Sequence, residues 1–273
     1  MQTSPTSPLI DVAELASRLD EVVLLDVRWR LGGPPGQPEF LSGHIPGAAY
    51  VDLPTALASA PGPRGRHPLP EPGVLEAALR AAGVQQDRGV VVYDDWAGRA
   101  AARAWWLLRW TGHQDVRVLD GGWAAWQAAG RPVATGPEHR PVGDVTVRPG
   151  GMPVLAVDDV LEHVRSGTLV DAREPERFRG AVEPVDPVAG HIPGATNVPT
   201  SANLRADGTF RPADELRRVY AGADGAVAAY CGSGVTAAHA VLAMEVAGIS
   251  AALYPGSWSE WVTDESRPVE RSA

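Results

Sequence analysis

The residue in this sequence best suited to chemistry is Cys231, the single cysteine among 273 residues. It follows an apolar segment typical of a strand, residues 226–230, and precedes a segment typical of a helix, residues 235–247. Glycines between a strand and a helix let backbone N–H groups turn towards one point, where the helix adds the positive end of its dipole. Such a site favours the thiolate, which is the nucleophilic form of cysteine. We therefore predict that Cys231 is a nucleophile rather than a small buried hydrophobic residue.

We use the name anion cradle for the five residues that follow Cys231, because their backbone N–H groups are expected to surround an anionic sulfur. The anion cradle consists of Gly232, Ser233, Gly234, Val235 and Thr236. A cysteine with no chemical role would not need two glycines beside it. The loop therefore favours a catalytic interpretation.

Composition and charge limit the classes of function. The net charge of −9 argues against binding to nucleic acid, whose phosphates favour basic surfaces. A single cysteine excludes an intrachain disulfide and fits a reducing compartment. No apolar run reaches the length of a membrane span, and the first ten residues lack the basic and apolar regions of a signal peptide. We expect a cytoplasmic protein that is associated with neither a membrane nor a nucleic acid.

Strand and helix patterns alternate along the chain, and the whole order occurs twice. The predicted strands cover residues 22–27, 89–93, 116–119, 168–172, 226–230 and 251–254. The predicted helices cover residues 11–19, 74–82, 99–110, 121–129, 158–166, 212–221 and 235–247. Alternation of this kind indicates the α/β class, with a mostly parallel sheet and helices on both faces of it. Because the order recurs only once, we predict two tandem domains rather than a solenoid.

The aligned copies differ at the position of the cysteine. Tyr93-Asp94 in the first copy lies opposite Tyr230-Cys231 in the second. A carboxylate can be held by a ring of amides, but it cannot perform thiolate chemistry. We therefore predict a non-catalytic domain over residues 1–135 and a catalytic domain over residues 153–273. A linker, with a possible short strand at 145–147, is expected over residues 136–152, where apolar periodicity lapses.

Several motifs in register resemble those of the two-domain rhodanese family of sulfurtransferases. The segments are Gly-His-Ile-Pro-Gly-Ala at 43–48 and 190–195, Asp-Ala-Arg at 171–173, the loop beginning at Cys231, Gly-Gly-x-x-x-Trp at 121–126 and Gly-Ser-Trp-x-x-Trp at 256–261. The resemblance covers residues 9–261. It implies two rhodanese-like domains and a sulfur atom that passes from a donor to Cys231 as a persulfide, and then to a thiophilic acceptor such as a thiol or cyanide.

The resemblance also implies which small molecules take part. Its partners would be a small anionic sulfur donor and the acceptor, with no cofactor. The seven histidines show no metal-ligand spacing with Cys231 or with paired carboxylates, so we expect no metal. Family members that use 3-mercaptopyruvate tend to carry Cys-Gly-Ser-Gly-Val-Thr, which stands at 231–236. Thiosulfate is the alternative donor, although members specific for it tend to have basic residues directly after the cysteine.

Arginines and a relay of polar residues complete the predicted site. Arg173 and Arg179 match family arginines near the thiol and are predicted to bind the donor, with Arg177 ranked after them; the alternative for each is a surface ion pair. Mercaptopyruvate-type members resemble one another in a Ser–His–Asp relay, which would place Ser233 and His44 beside the thiol. Residues 31–43 contain no aspartate to complete it. A histidine that only stabilises its turn is the alternative for His44.

Two other classes of function share this fold. Protein phosphatases of the cell-cycle type need an arginine six residues after the cysteine to bind the phosphate oxygens, and Ala237 stands there. A persulfide carrier or a binding module without turnover is the second alternative. Steady-state turnover with small donors separates an enzyme from a carrier.

Overall fold

The structure, a computed structural model, describes residues 7–272. Six of the ten residues on which the signal-peptide prediction depends, residues 1–6, lie outside the described residues. The chain forms two compact units. Unit 1 contains the chain up to Leu57 together with Pro70–Gly151 and Ala206–Phe210. Unit 2 contains Ala58–Leu69, Met152–Arg205 and the chain from Arg211 onwards. No helix within residues 7–272 is long and apolar enough to cross a membrane.

Unit 1 is built on a parallel sheet of five strands in the order β1-β5-β4-β2-β3. Its strands are β1 (Leu9–Ile10), β2 (Val23–Asp26), β3 (Ala48–Tyr50), β4 (Val90–Tyr93) and β5 (Val116–Leu119). Its helices are α1 (Val12–Ser17), α2 (Gly36–Ser42), α3 (Leu53–Ala56), α4 (Pro72–Ala81), α5 (Arg99–Trp110) and α6 (Gly122–Ala128). Every residue of β2, β4 and β5 is buried, as expected for a parallel sheet flanked by helices.

Unit 2 has a parallel sheet of four strands in the order β7-β6-β8-β9. Its strands are β6 (Thr168–Asp171), β7 (Thr196–Asn197), β8 (Val227–Tyr230) and β9 (Ala251–Leu253). Its helices are α7 (Val160–Ser166), α8 (Pro175–Arg179), α9 (Ala213–Val219), α10 (Val235–Val246) and α11 (Ser257–Trp261). The predicted α/β class with two parallel-sheet domains is confirmed.

Local sequence explains the elements that were predicted and those that were missed. The Asp11 side chain accepts the backbone N–H of Glu14 at 2.8 Å and so caps the N-terminus of α1. The structure adds α2, α3, α8, α11 and the short strands β1, β3 and β7, because segments of two to seven residues carry too little periodicity to be recognised. Residues 145–147 form no strand.

The division of the chain differs from the predicted boundaries in two places. Residues 136–151 belong to unit 1, because the N–H groups of Gly143, Val145 and Arg148 donate to backbone carbonyls of that unit at 2.8, 3.2 and 3.0 Å. Residues 58–69 belong to unit 2, although they lie within the predicted first domain. The chain changes from unit 1 to unit 2 after Gly151.

The loop after β4 shows what this type of turn does with an anion. Asp94, which is fully buried, accepts four backbone N–H groups at 2.7–2.9 Å. The donors are Trp96, Gly98, Ala100 and Ala101. Burial raises the pKa of Asp94, and the four N–H donors oppose that shift. The carboxylate of unit 1 therefore supplies, from within the chain, the anion that the loop binds.

Replacement of Asp94 by alanine tests this role. We expect Asp94→Ala to lower the free energy of unfolding by at least about 2 kcal/mol, because buried N–H groups lose their acceptor. Asp94→Asn, which keeps one carbonyl acceptor, should lose less. Urea unfolding measures both changes, and turnover per folded molecule should stay within about threefold of the wild type. Unchanged stability in Asp94→Ala would contradict this interpretation.

Candidate active site

Cys231 lies directly after β8, and helix α10 begins four residues later at Val235. The residue is buried, with 2% of its surface exposed. The backbone N–H of Gly234 donates to Cys231 Sγ at 3.2 Å. A backbone N–H in this position can stabilise negative charge that develops on the sulfur. The structure thus places the predicted nucleophile and one amide of the anion cradle in contact.

Gly234 has a conformation and surroundings that only glycine tolerates. Its φ is +78°, in the left-handed region, and it is the N-cap of α10. A Cβ at this position would overlap the backbone carbonyl of Pro255. Gly98 caps α5 in unit 1 with a φ of +79°. The glycine predicted from the sequence is therefore required by the backbone path that aims the N–H at the sulfur.

The Gly-Ser-Trp-x-x-Trp segment holds the backbone of Cys231. The Cys231 N–H donates to Ser257 Oγ at 3.1 Å, and the Trp258 N–H donates to the Cys231 carbonyl at 3.0 Å. Ser257 is fully buried and has a positive φ of +55°, which is strained for a residue with a side chain. Gly122 in unit 1 has a similar φ of +56° without that strain. The segment thus holds both the N–H and the carbonyl of the nucleophile in place.

The two loops can be compared through the helices that follow them. In α5 the N–H groups of Ala100 and Ala101, at the second and third helical positions, bind the Asp94 carboxylate. The corresponding positions of α10 are Thr236 and Ala237. The first N–H groups of a helix have no partner within the helix and are available to an anion. The first turn of α10 therefore offers N–H groups at the same two helical positions.

Ser233 has a histidine partner that the sequence analysis did not identify. His67 Nδ1 lies 2.8 Å from Ser233 Oγ, and both residues belong to unit 2 and are buried. His67 stands in a Pro- and Gly-rich segment, Ala58–Leu69, with no periodicity to mark it. The preceding residues of that segment contain no aspartate or glutamate. The serine of the predicted relay therefore contacts His67, and His44 is not its partner.

His44 instead has the surroundings of its counterpart in the second copy. Its Nδ1 lies 2.8 Å from the Phe40 carbonyl, and its ring stacks on that of Phe40 at 3.9 Å. His191 repeats both contacts with Phe178, at 2.8 and 3.8 Å. Both histidines are buried. The unit with the cysteine and the unit without it thus have the same histidine contacts. This repetition fits the alternative in which His44 stabilises its turn.

Arg173, predicted to bind the donor, is also part of a duplicated frame. Its Nη2 donates to Asp171 Oδ2 and to the Gly190 carbonyl, both at 2.7 Å. Burial alone would lower the pKa of Arg173, but Asp171 raises it above the usual range. Arg28 makes the equivalent bonds in unit 1, to Asp26 at 2.6 Å and to the Gly43 carbonyl at 2.7 Å. With 3% of its surface exposed, Arg173 connects two motifs of the fold, and its role in donor binding stays a prediction.

The arginines nearest the anion cradle are Arg66 and Arg177. Arg66 Nη2 and Arg177 Nη1 lie 3.0 and 3.4 Å from the position that a Cβ on Gly232 would occupy. Arg179, in contrast, is 41% exposed and lies 3.8 Å from Glu176, which fits the surface alternative. As predicted donor-binding residues, Arg177 ranks after Arg173 and Arg179, and Arg66 is not among the predicted residues. The cations beside the loop are thus not those that the resemblance selected.

Carboxylates of unit 2 bind both of these arginines. Arg177 donates to Glu183 at 2.6 Å and to Asp186 at 3.1 Å, and Arg66 pairs with Asp186. Burial would raise the pKa of Glu183, but hydrogen bonds from Arg177 and from backbone N–H groups lower it below the usual value. Among residues 7–272, no three His, Cys, Asp or Glu side chains are grouped to hold a metal ion.

Comparison with protein families matches residues 11–129 and 156–264 to the Rhodanese-like domain. A Mycobacterium tuberculosis protein named as a candidate thiosulfate sulfurtransferase, SseB, is 48% identical over 274 residues, or 96% of each chain. A candidate 3-mercaptopyruvate sulfurtransferase of Pseudomonas aeruginosa is 45% identical, covering 97% of this chain and 98% of the relative. Among solved structures, SseA from Escherichia coli, described as a 3-mercaptopyruvate sulfotransferase, has a TM-score of 0.83 at 35% identity. That match covers 93% of this chain and 100% of SseA.

The buried ion pair between Arg173 and Asp171 predicts that replacing Arg173 affects stability, whereas a role in donor binding predicts an effect on KM. Arg173→Ala should lower the free energy of unfolding by about 3–5 kcal/mol, because it leaves Asp171 buried without its cation. Arg28→Ala should cost a similar amount in unit 1. The exposed Arg179→Ala serves as the control and should change stability by less than about 0.5 kcal/mol. Denaturant unfolding checks all three; an Arg173→Ala protein of wild-type stability with a raised KM would restore donor binding as its role.

Proposed function

This chain belongs to the rhodanese family, and from that membership we propose that it is a sulfurtransferase in which Cys231 carries sulfur as a persulfide. The donor is 3-mercaptopyruvate and the acceptor is a thiol or cyanide. The observation that carries the proposal is the 3.2 Å hydrogen bond from the Gly234 N–H to Cys231 Sγ. It lies in a loop whose counterpart in unit 1 binds a carboxylate through four amides.

In the first half-reaction, the Cys231 thiolate attacks the sulfur of 3-mercaptopyruvate. A bond forms between the two sulfur atoms, and the bond from that sulfur to C3 of the donor breaks. The electron pair stays on C3, which takes up the proton of the donor thiol, so that pyruvate leaves and the persulfide carries the negative charge. The covalent intermediate divides the transfer into two steps. We infer that the N–H groups of Gly234, Thr236 and Ala237 stabilise the terminal sulfur, because the Gly234 N–H donates to Cys231 Sγ and the other two are among the first N–H groups of α10.

Ser233 and His67 are suited to move the proton that this step requires. The 2.8 Å contact between Ser233 Oγ and His67 Nδ1 connects the loop to an imidazole, the side chain that serves most often as a general acid and base. The proton of the donor thiol has to reach C3, and a hydroxyl–imidazole pair can take it and return it. We assign Ser233 and His67 this role in place of the predicted pair of Ser233 and His44.

Arg66 and Arg177 are suited to hold the carboxylate of the donor. Their Nη2 and Nη1 groups lie nearest Gly232, which adjoins the nucleophile. A guanidinium presents N–H groups in a fork that matches a carboxylate. In this proposal the two arginines take the substrate-binding role that the sequence analysis gave to Arg173 and Arg179.

In the second half-reaction, a nucleophilic acceptor removes the outer sulfur. Cyanide attacks that sulfur, the bond between the two sulfur atoms breaks, and thiocyanate leaves while Cys231 returns as the thiolate. A thiol acceptor leaves as a persulfide in the same way. The chemistry needs no cofactor or metal, and a nucleophilic thiol that has to stay reduced favours the cytoplasm.

Thiosulfate is the second candidate donor, favoured by the similarity to the M. tuberculosis relative. The thiolate would attack its outer sulfur and sulfite would leave, with no proton transfer. The uncharged loop Gly-Ser-Gly-Val-Thr after Cys231 supports 3-mercaptopyruvate, because no cation directly follows the nucleophile. A carrier without turnover is the remaining alternative.

The test of the nucleophile is Cys231→Ser. Transfer of sulfur from 3-mercaptopyruvate to cyanide should fall to the level without protein, since a serine hydroxyl does not form a persulfide. Stability should change little, because the two side chains are nearly equal in size. Thiocyanate formation measures the activity, and circular dichroism checks the fold. Turnover that persists in a folded Cys231→Ser protein would overturn the proposed mechanism.

The role of Ser233 separates the two donors. Ser233→Ala should lower kcat with 3-mercaptopyruvate by about 100-fold, because that reaction moves a proton. With thiosulfate, whose reaction moves none, kcat should stay within about threefold of the wild type. The wild type should show the higher kcat/KM for 3-mercaptopyruvate. An equal loss with both donors would mean that Ser233 acts on the loop and not on a proton.

A further inference from the structure

Asp186 lies at the centre of the charged groups beside the anion cradle. It pairs with Arg66 through Oδ1 and accepts from Arg177 Nη2 at 3.1 Å through Oδ2. Its own backbone N–H donates to Glu183 Oε1 at 3.1 Å, which fixes it in place. One carboxylate thus bridges the two arginines that the proposed function assigns to the donor.

Each of the two arginines uses some of its guanidinium nitrogens to bind the carboxylates and has another nitrogen close to the loop. Asp186 and Glu183 accept from Arg66 Nη1 and from Arg177 Nε and Nη2. The nitrogens nearest the Gly232 Cβ position are the other two, Arg66 Nη2 and Arg177 Nη1. Within residues 7–272 neither of these has a carboxylate partner. The N–H groups that face the loop are therefore the ones available to a donor.

Burial differs between the cations and the anions of this group. The side chains of Arg66 and Arg177 are 23% and 21% exposed, whereas those of Asp186 and Glu183 are 3% and 4% exposed. The carboxylates are thus buried, whereas the arginines remain partly open to solvent. A donor that arrives from solvent would therefore contact the arginines and not the carboxylates.

The formal charges of the four groups cancel. Two arginines meet two carboxylates, and the neighbouring Arg173, whose Nη1 also lies 3.4 Å from Glu183, brings its own carboxylate partner, Asp171. A monoanion adds a single charge to this neutral group, whereas a dianion adds two in a partly buried place. Charges at such distances interact strongly when water is excluded. The four groups therefore bind a dianion less favourably than two arginines without carboxylate partners would.

We propose that Asp186 is a specificity-determining residue, which makes the paired arginines select a monoanionic sulfur donor over a dianionic one. The proposal rests on the proposed function and names the substrate class of the same site. Asp186 acts by neutralising Arg66 and Arg177 from behind. The donor carboxylate of 3-mercaptopyruvate binds the outward N–H groups, and thiosulfate, with two negative charges, is disfavoured.

The experiment compares two donors in one variant. In Asp186→Asn, the ratio of kcat/KM for thiosulfate to kcat/KM for 3-mercaptopyruvate should rise by at least about tenfold over the wild type. The change should appear mainly in KM, because the nucleophile and Ser233 are untouched. The gain with thiosulfate should also shrink as salt is raised, since screening weakens the added attraction.

Asp214→Asn is the matched control, because it removes the same charge from an exposed pair with Arg218 on α9. Its donor ratio should equal that of the wild type. If Asp186→Asn does not fold, Asp186→Ser makes the same comparison with a smaller side chain. An unchanged ratio, or an equal loss with both donors in a folded variant, would overturn the proposal. Neither result touches the proposed function, which is tested separately by Cys231→Ser and by persulfide formation on Cys231 of the wild type.

Discussion

The structure depends on backbone N–H groups that converge where a parallel strand turns into a helix. The turn requires a glycine with positive φ, Gly98 in unit 1 and Gly234 in unit 2. Its donors attract negative charge whichever residue follows the strand. In unit 1 the side chain of Asp94 occupies this place and accepts the N–H groups, and in unit 2 the sulfur of Cys231 accepts one of them. One backbone arrangement therefore serves either as a closed structural site or as a reactive one.

The most recognisable motifs of the sequence build the frame around this turn. Arg28 and Arg173 each join an aspartate at the end of a strand to the glycine carbonyl before a histidine. His44 and His191 each stack on a phenylalanine and contact its carbonyl. Since both units have these contacts, they hold the fold rather than the reaction. Repetition in a chain with one nucleophile is thus a sign of structure.

The sequence was sufficient for the α/β class, the main strands and helices, and the loop around Cys231, because long apolar periodicity and glycine positions are local signals. It failed where positions depend on which unit a segment joins. His67 and Arg66 stand in Ala58–Leu69, which follows α3 of unit 1 in the chain but belongs to unit 2. No local pattern records that membership. Arg173 shows a different limit, since its place after β6 fits either a donor site or a buried ion pair, and the sequence alone does not distinguish the two.

The central claim is that Cys231 holds the transferred sulfur as a persulfide. Mass spectrometry of the intact protein, after exposure to 3-mercaptopyruvate without an acceptor, tests it most directly. We predict a gain of one sulfur atom, located on the peptide that contains Cys231 and lost when cyanide is added. Pyruvate released in an amount equal to the protein, with no added sulfur on that peptide, would contradict the account.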